Sequence, residues 1–223
     1  AKDARDKAWQ SLSEDEKSKR PYPLISGDVG PYAAYLANGS EYTGDYGKIS
    51  KEELKDFHRP RIAILLKQGV DLLALETIPN ALEAEALVEL LAEEFPQVEA
   101  YISFTIQESS SISDGTSLEA MVELVDTSKQ ILALGINCSS PLLFDAALEK
   151  LASLTNKYLV TYPNSGEVYD GQTQTWKPKD VTAKNLREHS QAWHEQFQVK
   201  ILGGCCRTRP NDIKSLYQTF RDQ

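Results

Sequence analysis

The chain has 223 residues, 41% hydrophobic and 26% charged, enough to bury a sizeable core in one domain. Its net charge is −9, from 24 basic and 33 acidic residues, and no basic cluster is interleaved with aromatics, which argues against a nucleic-acid partner. No apolar run approaches the roughly 18 residues of a membrane span, and no signal peptide is visible.

The chain opens on Ala1 in a charged, helix-like stretch (AKDARDKAWQSL), which has the look of an interior start. From there, short apolar runs alternate with helical patterns: PLISGDVG, VDLLALETI, VEAYISFTI, ILALGINC, YLVTYPNSG and KILGGCC. Such alternation predicts βαβ units and a parallel sheet, whose strands read as near-continuous hydrophobic runs because both faces are covered. Helix starts are marked by possible capping boxes at Ser50–Glu53 and Thr116–Glu119, and by Asn80 with Glu83. In NALEAEALVELLAEEF the apolar spacing gives one buried face, with the carboxylates expected outside as a solvated face. No Gly-x-Gly-x-x-Gly follows any strand, and GDVG is too weak a glycine loop to count, so a (β/α) barrel is favoured over a dinucleotide-binding sheet.

The unusual polar residues collect at the C-terminal ends of the strand-like runs. In chain order these are Gly27-Asp28-Val29-Gly30, Glu76-Thr77, Thr105 to Glu108, Asn137-Cys138, Pro163-Asn164-Ser165 and Cys205-Cys206. A (β/α) barrel carries its active site on that face. Histidine does not share the pattern: His58, His189 and His194 fall in helix-like segments and read as surface or helix-packing residues. Trp9, Trp176 and Trp193 read as packing residues.

The three cysteines, Cys138, Cys205 and Cys206, are the sharpest feature. Adjacent Cα atoms lie about 3.8 Å apart, below the roughly 4.4–6.8 Å that an unstrained disulfide spans. The odd total also argues against a secreted disulfide framework, so reduced thiols in a cytoplasmic protein are expected. Within a strand, neighbouring side chains point to opposite faces, but at a strand's end both can turn inward. Two readings stay open from spacing alone. Three thiolates with a free fourth position suit zinc, and cysteines also pack as ordinary small hydrophobes. A closed structural or sensor site, zinc or iron–sulfur, would want a fourth protein ligand, for which only Asn137, Asn164 or a distant histidine is available. A metal-free aldolase-like barrel would want a strand-end lysine, whereas Lys200 begins a strand.

Five blocks then settle a resemblance: GDVGPYAAYLANGSEYTGDY, ETIPN, GINCSSP, YPNSGEVYD with TW following, and GGCCRTRP. In sequence and order they are similar to the homocysteine S-methyltransferase family, from about Leu24 to the end, and look nearest to the branch using S-methylmethionine or S-adenosylmethionine. The resemblance implies an α/β fold, a (β/α)₈ TIM-type barrel in which residues 1–223 form a single catalytic domain. It implies zinc held by Cys138, Cys205 and Cys206, with the homocysteine sulfur as fourth ligand and methionine as product. It also implies that Glu76 binds the substrate's amino group, with Asn164 a second candidate for the substrate.

One departure follows from the same resemblance. The family's first two βα units, with an Asp-Gly pair that also holds the amino acid, have no counterpart here. The six units would be strands three to eight, leaving a gap between last and first. In the betaine-using branch a tyrosine follows the equivalent glutamate; here Thr77 stands there, which argues against betaine.

Overall fold

All six apolar runs form strands, and they assemble in one parallel sheet of order β1-β2-β3-β6-β7-β10. In a computed structural model, residues 1–170, 175–177 and 185–221 are described. The N-terminal residues give α1 (Lys2–Gln10) and α2 (Glu14–Ser18), followed by β1 (Ser26–Val29), α3 (Tyr32–Leu36), α4 (Ser40–Thr43) and α5 (Lys51–Lys67). Then come β2 (Leu72–Ile78), α6 (Ala81–Glu94), β3 (Ala100–Phe104), a small hairpin of β4 (Ile106–Glu108) and β5 (Ser111–Ile112), and α7 (Leu118–Asp126). The remainder is β6 (Ile131–Asn137), α8 (Phe144–Leu154), β7 (Tyr158–Tyr162), the hairpin strands β8 (Val168–Asp170) and β9 (Thr175–Lys177), α9 (Leu186–Phe197), β10 (Ile201–Leu202) and α10 (Pro210–Phe220).

The register explains the shape. β6 sits centrally between β3 and β7, with Ser103 opposite Gly135 and Gly135 opposite Val160. Gly135 is obligatory there, because a Cβ would meet the Val160 carbonyl oxygen at 1.8 Å. Side chains also meet across an intervening strand: Ser103 of β3 contacts Tyr162 of β7, and Thr77 of β2 contacts Asn137 of β6. Such contacts need a curled sheet, as in a barrel wall. Among the described residues β1 and β10 pair with one neighbour each, so the six strands leave the expected gap between last and first.

The convex face is packed by helices. Leu73, Leu75, Ile102, Leu134 and Ile136 are fully buried against Leu87, Leu91 and Phe144. Burying each such side chain contributes about 1.5–3 kcal/mol, which is why the helices need only one apolar stripe each. Trp193 is fully buried and donates its indole N–H to Asp145 Oδ1 at 2.6 Å, a packing role as expected. Trp9 packs edge-on to Tyr22, while the Trp176 side chain lies outside the described residues.

Three helix-start readings fared differently. Ser50 and Glu53 form the full capping box. At α7 the cap is Ser117, not Thr116, because the chain enters the helix one residue later and Ser117 Oγ accepts the Ala120 N–H. Asn80 caps α6 by accepting the Glu83 N–H, but Glu83 does not reciprocate. Its carboxyl is fully buried and turned toward Tyr32, Tyr46 and His58, so the reading that all acids of this helix face solvent is corrected here. His58, fully buried beside it, packs between helices as expected.

Candidate metal and substrate site

The cysteines converge because the chain leaves β geometry just before each. Asn137 ends β6, and Cys138 adopts a left-handed backbone (φ 47°) while donating its N–H to the Tyr162 carbonyl. β10 is only two residues long, and the Gly203–Gly204 pair then carries the chain across the strand ends. Cys205 N–H is held by the Pro163 carbonyl at 2.8 Å, and the Cys206 carbonyl accepts from Ser165 N–H at 3.0 Å. Thr208 folds back with both its N–H and its hydroxyl on the Cys205 carbonyl. Gly204 is required for that turn, since a Cβ would lie 2.5 Å from Thr208 Oγ1. Adjacent cysteines can therefore aim at one point, which a continuing strand forbids.

The three sulfurs lie within 4.8 Å of one another, with Cys138 and Cys206 3.5 Å apart and all three free. A tetrahedral ion with metal–sulfur bonds near 2.3 Å has sulfur–sulfur edges of about 3.8 Å, so the spacing fits. Among the described residues no His, Asp or Glu joins the group. Asn137, a candidate fourth ligand by sequence, has both ends of its amide committed to Thr77. The three thiols titrate as one linked group. Cys206 is pulled down to about 3 because the Cys138 and Cys205 thiols donate to its sulfur. Cys138 is pushed far up by sharing its proton with Cys205 and Cys206, and then by burial. Three thiolates this close repel one another, so a bound dication would be what lets all three ionise together.

Glu76 occupies the inner face of the same rim. Burial raises its carboxyl above the ordinary range, a hydrogen bond from Tyr162 opposes this, and the neighbouring Asp28 adds to the rise. Tyr162 also touches Ser103, and its phenol is raised, first by burial and then by Tyr101 and Glu76. The next residue, Thr77, is left-handed (φ 66°), a costly state for a β-branched side chain. Asn137 holds it there: its Oδ1 accepts the Thr77 N–H at 3.0 Å and its Nδ2 donates to Thr77 Oγ1 at 2.8 Å. One fully buried amide thus fixes the strand end carrying Glu76 and immediately precedes Cys138. Asn164 is less available, because its Oδ1 accepts the Gly166 N–H within its own turn.

Sequence reasoning placed Asn137 at a strand end but missed it as a clamp, and it missed Tyr162 altogether. The signal for Asn137 was a lone amide in an apolar run (ILALGIN); Tyr162 carried none, since an aromatic strand residue ordinarily packs.

The Homocysteine S-methyltransferase family matches residues 1–220. The chain belongs to that family. It is 43% identical to homocysteine S-methyltransferase 1 of Arabidopsis thaliana over 99% of its own length and 68% of the relative's. It is 48% identical to homocysteine S-methyltransferase of Escherichia coli over 86% of its own length and 61% of the relative's. The metallated crystal form of the homocysteine methyltransferase MmuM from Escherichia coli superposes with a TM-score of 0.81 at 42% identity, covering 97% of this chain and 67% of that one. The chain thus spans about two thirds of these relatives. As a member of the family it is a methyltransferase of the (β/α) barrel type whose reaction is methyl transfer to homocysteine. Among the described residues no helix is long and apolar enough to cross a membrane.

Proposed function

We propose that this chain, acting as one barrel domain over residues 1–223, methylates the sulfur of L-homocysteine with a sulfonium donor, S-methylmethionine or S-adenosylmethionine, and forms methionine. The observation that carries this is the convergence of Cys138, Cys205 and Cys206 within 4.8 Å of one another with no fourth protein ligand among the described residues. Those three thiolates would hold zinc, and zinc in such a site keeps a coordinated thiol deprotonated near neutral pH. Reduced thiols of this kind suit the cytoplasm.

The chain's own residues supply orientation and dehydration. Glu76, with a carboxyl raised by burial, is matched to an ammonium group, whose charge would draw it back toward the ionised form. Tyr162 steadies that carboxyl, and Asn137 fixes the strand ends on which Glu76 and Cys138 stand. Asn164 stays in the reading as a lining residue. The methyl carbon leaves the positive sulfonium for the substrate's sulfur lone pair, so both products are neutral thioethers and no proton moves at carbon. In-line alignment is then the main contribution of the protein.

A three-cysteine structural or sensor site is the rival, and among the described residues nothing supplies the fourth ligand that a closed site wants. The test is to incubate the full-length protein with homocysteine and each sulfonium donor in turn, assaying methionine and bound zinc together. Methionine with at least one donor, proportional to zinc, is expected. Equal turnover by metal-stripped protein would overturn the metal's part, and no turnover with either donor would overturn the reaction.

A further inference from the structure

Asp28 stands on the rim near the end of β1, and the steps above leave it unused. Burial alternates along that strand. Gly27 and Val29 are buried toward the helices, where a Cβ on Gly27 would press on Leu65, Val70 and Leu73, while Ser26 and Asp28 lie exposed on the concave face. β2 runs parallel beside it with Asp28 opposite Ala74, so Glu76 stands one step nearer the rim on the same face. Continuing the register by one residue sets Gly30 beside Glu76. Gly30 carries no side chain, and a Cβ there would lie 3.7 Å from Asp28 Oδ1, so the Asp28 carboxyl leans up the strand to the level of Glu76. The two carboxyls share a hydrogen bond.

Two acids in contact repel one another when both ionise, a cost that a neighbouring cation removes. Among the described residues no cationic side chain pairs with either, and the groups acting on Glu76 are Tyr162 and Asp28. Arg61, on α5 behind β1, commits Nη1 to the Gly30 carbonyl at 3.0 Å and lies over the Phe57 ring instead. The carboxyl pair is also tied to the sulfurs. Tyr162 donates its hydroxyl to Glu76, and its carbonyl accepts the Cys138 N–H at 3.1 Å. Asn137, which precedes Cys138, holds Thr77, which follows Glu76. A small ligand with sulfur at one end and a cationic nitrogen at the other matches both groups.

We infer that Asp28 is a second substrate-binding carboxylate: with Glu76 it brackets the ammonium group of homocysteine, holding the amino acid from two neighbouring strands, β1 and β2. This rests on reading the thiol cluster and Glu76 as the homocysteine site. A single carboxylate leaves an ammonium group free to swing, whereas a second one on the adjacent strand, about 4.8 Å away, fixes its direction. Asp28 is the more exposed of the two, so water screens it and its share of the affinity is the smaller.

The test compares Asp28→Asn with the unaltered, zinc-loaded full-length protein by calorimetric titration with homocysteine and with γ-mercaptobutyrate, the same thiol acid without its amino group. Zinc content and the Tm without ligand are measured on the same preparations. The expected result is homocysteine affinity lower by about three- to tenfold and γ-mercaptobutyrate affinity within about twofold. Zinc content should be unchanged, and the Tm at pH 7 should be no lower, because removing one acid relieves its repulsion of the other. Unchanged homocysteine affinity overturns the inference. An equal loss for both thiols overturns it too, since the effect then runs through the metal or the fold and not through the ammonium group. A lower Tm would likewise assign Asp28 to the fold. Failure of the underlying reading is recognised separately, by the unaltered protein neither binding homocysteine nor forming methionine from it.

Discussion

The two ends of the parallel sheet solve the same problem in opposite ways. At the N-terminal ends, side chains close off backbone groups. Gln130 Nε2 donates to the Phe95 and Val98 carbonyls at 2.8 and 2.9 Å, and Lys157 Nζ to those of Ser128 and Ile131 at 2.8 and 2.7 Å. Asp71 takes the Ile25 N–H and pairs with Arg5. At the C-terminal ends, side chains instead face one another, and the backbone bears the strain. Thr77 and Cys138 are left-handed where strands stop, whereas Gln198, at the other end, is left-handed only as an ordinary helix cap. One end commits its polar groups to the backbone; the other gathers three sulfurs and a carboxyl, the groups proposed above to meet a ligand.

The largest break in that contrast comes from the sulfurs. Cys138→Ser or Cys206→Ser is expected to abolish zinc retention and methyl transfer together, with Tm little changed in the metal-free state. Metal analysis and a methionine assay read this directly; retained activity in either variant would mean that the cluster is ordinary packing.

Asn137→Ala comes next. It strips partners from the Thr77 N–H and hydroxyl at a partly buried site, where leaving such groups unpaired costs at most about 1–3 kcal/mol each. We expect kcat/KM to fall about a hundredfold or more, along with a lower Tm, because the ends bearing Glu76 and Cys138 lose their common clamp. A fall in Tm alone would reduce Asn137 to a structural role.

Glu76→Gln separates the two ends by sign. Burial, offset in part by Tyr162 and reinforced by Asp28, raises the folded pKa of Glu76 above its unfolded value. The contribution to stability is therefore complete below the unfolded pKa, about 4.3, and is lost as pH rises through the raised folded value. At pH 7 the neutral variant should have a higher Tm than the unaltered protein, and the difference should vanish toward pH 4. Its affinity for homocysteine should fall by about ten- to a hundredfold, with zinc retained. A lower Tm at pH 7 would mean that the carboxylate is satisfied within the fold and is not waiting for an ammonium group.

Much of this was legible beforehand, for physical reasons. Strands covered on both faces must be apolar, so PLISGDVG, ILALGINC and the others stood out, and the polar residues that ended them marked the rim. What escaped notice depended on contacts distant in sequence. Glu83 looks solvated because its neighbours in α6 are; only the return of Tyr32 and Tyr46 buries it. Thr116 and Ser117 offer equivalent hydroxyls, and the bridge between Ser111 and Ser117 shifts the helix start by one residue. Thr105 reads as part of an unbroken strand, yet β3 stops at Phe104 because Thr105 takes the Ile78 carbonyl and the Glu41 carbonyl instead.

The smallest expected effect tests the quiet end. Gln130→Ala removes two hydrogen bonds to the carbonyls of the turn between α6 and β3. Each is worth about 0.5–1.5 kcal/mol net, so the loss is about 1–3 kcal/mol, and each kcal/mol lowers Tm by about 2–4 °C in a chain of this size. The catalytic constants should not move, because the change lies at the end of the sheet opposite the sulfurs and Glu76. Because β3 begins at Ala100, whose N–H rests on the Gln130 carbonyl, the backbone bond that survives the substitution should hold the register. Thermal unfolding and a methionine assay on one preparation suffice. If kcat/KM fell along with Tm, the two ends would be mechanically coupled through β3 and β6, and the division of labour between them would be wrong.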